Sequence, residues 1–320
     1  MKKPMAWLAV VAAFWSLSSA AHGYPDRPIQ FIVPAAPTTA TDATARFLAE
    51  QMTKEWNTSV AVENKVGANG IIGANFVKHA ANDGYTLMMA PSTLYINKSL
   101  YKTLPYEPVK DFQALIGVNN AYLVLVAPAS APFDSVRGLV DYAKSNPGKL
   151  SYSSAGVGST THLAAALFVK MAGLDVVHVP YSGGAKAVTD TISGEVQFTV
   201  TAIATALPQI ASGRLKALAV TGLERAKSLP DVPTLDESGL KGFEVASKTF
   251  VVAPAGIPPD VARKIIATVG GIIKTPEYQK FLEQRGLDVE KLSPAEYAAS
   301  GSSEVSRWAK IVELSGAKPN

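Results

Sequence analysis

Short β-branched and apolar runs alternate along this chain with longer stretches in which apolar residues recur every three or four positions. Ile29-Gln30-Phe31-Ile32-Val33 reads as a strand and Thr41 to Lys54 as the helix after it. Val60-Ala61-Val62 and Ile71 to His79 repeat the step, and Tyr85 to Met89 reads as a buried strand. Tyr122 to Ala127 is a further strand, and Val136 to Ser145 a helix stopped by Asn146-Pro147-Gly148. A second series then runs strand Ser151 to Ser154, helix Thr160 to Met171, strand Val176 to Val179, helix Ala185 to Ile192 and strand Val196 to Val200. It closes with helix Ala204 to Ser212 and strand Lys216 to Val220. Such alternation predicts an α/β fold with mostly parallel sheets flanked by helices.

The tail has a different pattern. Strand Glu244 to Val252 is followed by three helical segments, Asp260 to Ile273, Glu277 to Arg285 and Pro294 to Leu314, with no strand expected between them. Helices in a block wrap a lobe that already exists. The chain is therefore expected to cross between two lobes near Ala127 and return near Val245, and two crossings allow hinge closure around a ligand.

The N-terminus sets the compartment. Lys2 and Lys3 precede an apolar run from Ala6 to Leu17, then the small residues Ser18-Ser19-Ala20-Ala21-His22-Gly23. That order is a secretory signal, too short to span a bilayer, with cleavage expected at Ala21-x-Gly23 or, alternatively, Ser18-x-Ala20. Its removal leaves roughly 300 residues, enough for two lobes. The expected division is 1–23 signal, 24–126 plus 246–320 lobe 1, and 127–245 lobe 2. With 30 basic against 26 acidic residues and no basic cluster, a nucleic-acid partner is not expected. The absence of cysteine excludes disulfides and thiolate metal sites.

Two strand-to-helix turns echo one another. The first strand leads through Pro37-Thr38-Thr39-Ala40-Thr41-Asp42 into a helix, and Gly156-Val157-Gly158-Ser159-Thr160-Thr161-His162 does the same in the second series. A helix N-terminus carries four unpaired N–H groups and about half a positive charge, so small residues and hydroxyls around it let an oxyanion approach. Any one of Thr38, Thr39, Thr41, Ser159, Thr160 or Thr161 alone reads as an ordinary cap. The pair, at the carboxyl ends of parallel strands, reads as an anion site. Gly67-Ala68-Asn69-Gly70 and Tyr181-Ser182-Gly183-Gly184-Ala185 are further turns with access to such a cleft. Nucleotide-binding glycine motifs, a Gly-x-Ser-x-Gly elbow and metal-ligand spacings are all missing, so no cofactor or metal is expected. His162 or His178 with a cleft serine leaves a secreted hydrolase as the alternative.

Several segments carry a family resemblance. They are Tyr24-Pro25-Asp26-Arg27-Pro28-Ile29, Val62-Glu63-Asn64-Lys65-Val66-Gly67-Ala68-Asn69-Gly70, Asp83-Gly84-Tyr85-Thr86-Leu87 and Asn146-Pro147-Gly148-Lys149-Leu150. His162-Leu163-Ala164, Val177-His178-Val179-Pro180-Tyr181, Ala217-Leu218-Ala219-Val220-Thr221 and Leu229-Pro230-Asp231-Val232-Pro233-Thr234 continue it in order along the chain. Together they resemble the Bug-type solute receptors of tripartite tricarboxylate transporters. The resemblance implies a periplasmic, two-lobe, periplasmic-binding-protein-like clamp that works as a monomer, performs no chemistry and hands its ligand to a membrane permease. A sensor partner in place of the permease is the other reading.

The resemblance also implies where the ligand sits. A carboxylate would be held between Ala36 to Asp42 (Ala36, Thr38, Thr39, Thr41, Asp42) and Gly156 to His162 (Gly156, Gly158, Ser159, Thr160, His162). Ser92, Thr93, Tyr181, Gly183, Gly184, Ala185 and Thr201 fall at cleft positions. The family's first turn is typically Ala-Pro-Gly-Gly-Gly-Thr-Asp, whereas here Thr38, Thr39 and Ala40 replace the glycines, which makes positive φ costly. Thr201 stands where the family often has an amine-binding Asp, which argues against amino acids. Lys248, where the family often has Trp, is a candidate partner for a second carboxylate, so a dicarboxylate or aromatic carboxylate is the favoured ligand.

Overall fold

Six strand-to-helix steps build most of the molecule. The computed structural model describes residues 23–317, so the expected export segment lies outside the described residues except for Gly23. In chain order the first half holds β1 (Ile29–Val33), α1 (Ala40–Trp56), β2 (Val60–Asn64), α2 (Ile71–Lys78), β3 (Thr86–Pro91) and α3 (Thr93–Leu100). The long strand β4 (Phe112–Pro128) leads to α4 (Val136–Ser145), β5 (Ser151–Ser154), α5 (Thr160–Ala172), β6 (Val177–Pro180), α6 (Gly184–Ile192), β7 (Phe198–Ala202), α7 (Ile203–Ala211) and β8 (Leu215–Val220). The chain returns along β9 (Ala246–Pro254) to α8 (Pro259–Ile272), α9 (Pro276–Glu283), β10 (Asp288–Val289), α10 (Pro294–Ala299) and α11 (Gly301–Ser315).

The helices begin where side chains satisfy their first N–H groups. Thr39, Ser135, Ser159, Thr275 and Ser293 each accept from the N–H three residues on. Proline occupies the first turn of α8, α9 and α10, where no N–H is needed. In α1, Ala45, Leu48, Ala49 and Met52 are buried, the spacing of a helix with one face on a sheet.

The strand order is β2-β1-β3-β9-β4-β7-β5-β6, with β8 and β10 also on β4. β1 pairs in parallel with β2 and β3, and β5 pairs in parallel with β6 and β7. The crossing strands are antiparallel, because one carries the chain out and the other brings it back. β4 pairs with β9 from Phe112 to Tyr122, then with β7 and β8 from Leu123 to Pro128. Its change of partners thus falls at Tyr122/Leu123.

Four parts of the chain departed from the sequence pattern. The first ten residues of β4 and all of α3 had no period that marked them, since Asn97, Asn119 and Asn120 are buried polar residues inside them. β10 is a strand in the tail, where only helices were expected, and two residues are too few to carry a period. The expected Pro294–Leu314 helix breaks at Ser300 into α10 and α11.

Strand direction decides what meets at the junction. β3 and β4 are both antiparallel to β9, so β1, β2 and β3 run toward the second half. β7 is antiparallel to β4, so β5, β6 and β7 run back toward the first. The carboxyl ends of both parallel triplets therefore face one another. Pro91 is level with Asn119 on β4 through Thr249, and Ala202 is level with Leu123. Four residues of β4, roughly 13 Å, separate these ends. One apolar core runs through both halves, with Leu94, Leu125, Leu163, Phe168 and the fully buried Trp308 of α11 among its members.

Candidate functional site

Six helices, α1, α2, α3, α5, α6 and α7, start after strands that end at the junction, so six N-termini are gathered there. Each contributes partial positive charge and unpaired N–H groups. At α1, Ala40 and Thr41 N–H have no partner within the described residues, and at α5 the same holds for Thr160 and Thr161. Most of the other N–H groups of both turns are used locally. Thr39 Oγ1 accepts from Asp42 N–H at 3.3 Å and donates to Ala36 O at 2.8 Å. Ser159 Oγ accepts from His162 N–H at 3.2 Å and donates to Gly156 O at 2.7 Å. The two turns share one hydrogen-bond plan, three residues apart in each case.

The first turn holds a residue under strain. Thr38 has φ of 69°, a left-handed conformation that β-branched residues rarely adopt. It is held by Asp42, whose buried carboxylate accepts from Thr38 N–H at 3.0 Å, Asn64 Nδ2 at 2.8 Å and Arg46 Nε at 3.0 and 3.1 Å. Burial alone would raise the Asp42 pKa, but the hydrogen bonds from Arg46, Asn64 and Thr38 outweigh it and hold the carboxyl below its ordinary value. Asn64 also donates to Ala35 O at 3.0 Å, fixing the end of β1. Asp42 is thus the keystone of the turn, with its oxygens already occupied. The hydroxyls of Thr38 and Thr41 make no bond within the described residues, and Ala36 is exposed beside them.

In the second turn Gly156 and Gly158 have φ of 122° and 77°. Gly158 N–H donates to His162 Nδ1 at 3.1 Å, so this ring nitrogen shapes the turn instead of facing a ligand. The His162 ring stacks on His178 at 4.1 Å, and His178 on Tyr152 at 4.8 Å. Burial, with His178 adding to it, pushes the His162 pKa down to about 4, so the ring is neutral near pH 7. His178 Nε2 lies 2.8 Å from Ser154 Oγ, but Ser154 is buried and its hydroxyl is shared with the Gly156 backbone. The stack packs the core under the turn and presents no exposed nucleophile.

The other expected cleft residues divide into two groups. Gly184 sits where an added Cβ would lie 3.9 Å from Thr201 Oγ1 and 4.0 Å from Ala155 Cβ, so Gly183, Gly184, Ala185 and Thr201 form one corner. Ser92 ties β3 to β9: its N–H donates to Lys248 O at 3.0 Å, and its Oγ accepts from Lys248 N–H at 2.8 Å. Thr93 begins α3 beside it. Lys248 is not a free cation in the cleft. Its Nζ donates to Glu304 Oε1 of α11 at 2.7 Å, both side chains being largely buried, and a paired lysine leaves little charge for a ligand.

Some contributors had no sequence signal. A cavity of about 290 Å³ between the halves is lined by Leu100 and Tyr101 on one side and Gly156, Val157, Gly158, Pro180 and Tyr181 on the other. A Cβ on Gly158 would come 2.5 Å from Leu100 Cδ1, so glycine permits the close approach. Asn69, from the 67–70 turn, donates to Asn97 Oδ1 at 2.8 Å, and Asn97 donates to Tyr106 Oη at 3.2 Å. That chain anchors the turn facing Gly158. Among the described residues no cluster of His, Cys, Asp or Glu could hold a metal ion, and no helix is long and apolar enough to cross a membrane.

Comparison with known proteins agrees with this geometry. The family model for the tripartite tricarboxylate transporter family receptor matches residues 44–316. The chain is 36% identical over 290 residues to a protein from the tcbD–tcbE intergenic region of Pseudomonas sp. strain P51, covering 90% of this chain and 86% of that one. Bordetella pertussis BugT is 32% identical, with 97% and 98% covered. Among solved structures, an R. palustris protein with adipate superposes at TM-score 0.84 with 30% identity, covering 93% of this chain and all of that one. Rhodopseudomonas palustris MatC with bound malate gives 0.79 with 30% identity, over 90% of this chain and all of the other. The periplasmic binding protein BugD gives 0.81 with 34% identity, over 93% and 100%.

Proposed function

This chain belongs to the tripartite tricarboxylate transporter family of receptors, and on that premise we propose that it is a periplasmic clamp for a small carboxylate, dicarboxylates and aromatic carboxylates being favoured. The proposed lobes meet near residues 122 and 245, where β4 changes partners and β9 begins. Closure brings the α1 and α5 turns onto the same carboxylate, and the ligand stabilises the closed state by binding it better than the open one. The closed receptor is then recognised by a membrane permease.

The observation that carries this reading is the gathering of helix N-termini with free N–H groups at Ala40, Thr41, Thr160 and Thr161. The positive field comes from backbone dipoles and needs no lysine. Relatives of the same fold bound to adipate and malate support the ligand class. Thr201, in place of an acidic residue, supports acids without an amine.

The backbone itself is testable. Ala40 and Thr160 are the first helical residues, and the residues before them, Thr39 (ψ 162°) and Ser159 (ψ 156°), are extended as a following proline requires. Ala40→Pro and Thr160→Pro therefore delete one ligand-facing N–H each and leave the helix intact. Calorimetry against mono-, di- and aromatic carboxylates should find one saturable class, with each variant binding about tenfold more weakly. Failure of every acid to bind would refute the receptor reading, and undiminished binding by both variants would refute the role of the turns.

A further inference from the structure

Two tyrosines, one from each half, line the cavity of about 290 Å³. Tyr101 ends α3, where its N–H donates to Asn97 O at 3.0 Å, and Tyr181 follows β6, where its N–H donates to Ser154 O at 3.0 Å. Both positions are therefore fixed by regular structure, and both side chains are partly buried. A Cβ on Gly156 would lie 3.2 Å from Tyr181 O, so the α5 turn packs directly on the Tyr181 segment. Leu100, Val157 and Pro180 supply the apolar remainder of the wall. Gly158, in the same wall, stands two residues before Thr160 and its free N–H, at most about 7 Å of chain. A carboxylate held at the α5 N-terminus therefore has this cavity within reach of a body only a few bonds long.

The wall is aromatic and apolar, and it carries no cation. None of the residues that line the cavity is charged. The Lys186 ammonium, 5.9 Å from the centre of the Tyr181 ring, is paired with Asp190. Asp190 and Glu195 both act on the Tyr181 hydroxyl, so the acids there outnumber Lys186. On the other side Lys98 is paired with Glu107, and Lys102 is exposed on the loop after Tyr101, outside the wall. Deeper between the halves, Lys248 is spent on Glu304, and Arg46 on Asp42 and Asn64. A second carboxylate carried into the cavity would give up its water against leucine, valine and proline with no cation in exchange. The polar groups that remain there are neutral, the two phenols and the backbone of the turn.

We propose that this chain selects an aromatic monocarboxylate over a dicarboxylate, with the carboxylate on the free N–H groups of the turns and the ring in the cavity between Tyr101 and Tyr181. The inference rests on the carboxylate clamp proposed above and narrows its ligand. Closure brings a ring from each half onto the ligand's own ring, and such contacts add to the gain from burying apolar area. Tyr101 and Tyr181 are then the residues that determine specificity, while the turns supply affinity common to all the acids.

The test is calorimetric titration of benzoate, cyclohexanecarboxylate, adipate and malate, with benzyl alcohol as the control that lacks a carboxylate. Benzoate should bind saturably and about tenfold more tightly than either dicarboxylate, because they bring a second charge to an uncharged wall. Cyclohexanecarboxylate should bind about threefold more weakly than benzoate, having bulk without a π face, and benzyl alcohol should not bind. Tyr101→Ala and Tyr181→Ala should each weaken benzoate about tenfold, whereas Tyr101→Phe and Tyr181→Phe, which keep the ring and the packing, should bind it as the parent does. Adipate or malate binding as tightly as benzoate overturns the inference and leaves the clamp standing. Cyclohexanecarboxylate equal to benzoate, or benzoate binding undiminished in both folded alanine variants, also overturns it. Failure of every acid to bind removes the clamp itself and this inference with it.

Discussion

Replacing Thr38 by glycine should stabilise this protein, although it removes a side chain. Thr38 sits at φ 69°, where an L-residue loses about 1–2 kcal/mol to the clash between Cβ and the backbone. Glycine escapes that penalty but gains freedom in the unfolded chain, which costs about 0.5–1 kcal/mol. Nothing else is lost, because the Thr38 hydroxyl makes no bond and the N–H that binds Asp42 is retained. The net gain is about 0.5–1 kcal/mol, a rise of roughly 1–3 °C for a chain of this length. Thr38→Ala is the control: it removes the same hydroxyl and keeps the Cβ, so it should stay near the parent. Scanning calorimetry without ligand, together with a urea midpoint at unchanged slope, measures both. If Thr38→Gly melts at or below the parent, or together with Thr38→Ala, the strain at this turn is not what the backbone angle implies.

The other expectations follow from the same contacts. Gly158→Ala should weaken carboxylate binding more than tenfold while the protein stays folded, because φ of 77° and Leu100 resist a Cβ where the halves meet; undiminished binding would place closure elsewhere. Lys248→Met should destabilise by about 3 kcal/mol in urea unfolding, since it strands Glu304, yet leave carboxylate affinity within twofold; a large affinity loss would return Lys248 to the cleft. Asp42 has a depressed folded pKa, so its contribution is present above the unfolded carboxyl value and is lost as pH falls through the folded one. Asp42→Asn should therefore be less stable at pH 7, and the gap should narrow on acidification through that range. His162 is depressed from 6.5 to about 4, and the unfolded state binds its proton first, so stability should fall from pH 6.5 to 4. His162→Gln should flatten that slope, and a His162 ring found by NMR to titrate near 6.5 would contradict the burial argument.

Most elements were legible because they are amphipathic over a full turn or more. α1 and α8 have buried faces at helical spacing, whereas β1 and α5 are buried nearly all round and read from continuous apolar runs between their turns. The two turns were legible because capping chemistry is local: Thr39 and Ser159 act on residues three positions away. What was hidden depends on distant partners. Asn119 and Asn120 carry no strand signal of their own until β9, β10 and α1 surround them, and two residues at β10 become a strand only because β4 offers an open edge. Lys248 read as a cleft cation because nothing near it in the chain announces Glu304, 56 positions later.

The sequence by itself determined the family, through the resemblance of its ordered segments, and the alternation of strands and helices and the two turns that end in free N–H groups, through short-range periodicity and capping. Only the tertiary structure decided that those turns face each other, since that follows from antiparallel pairing along β4 and β9. It also decided which charges are free. Asp42 and Lys248 are spent on Arg46, Asn64 and Glu304, while Glu290 keeps one oxygen on the backbone of Lys291 and Leu292. A side chain's charge is written in the sequence, but whether it is neutralised depends on what packing brings within 3 Å.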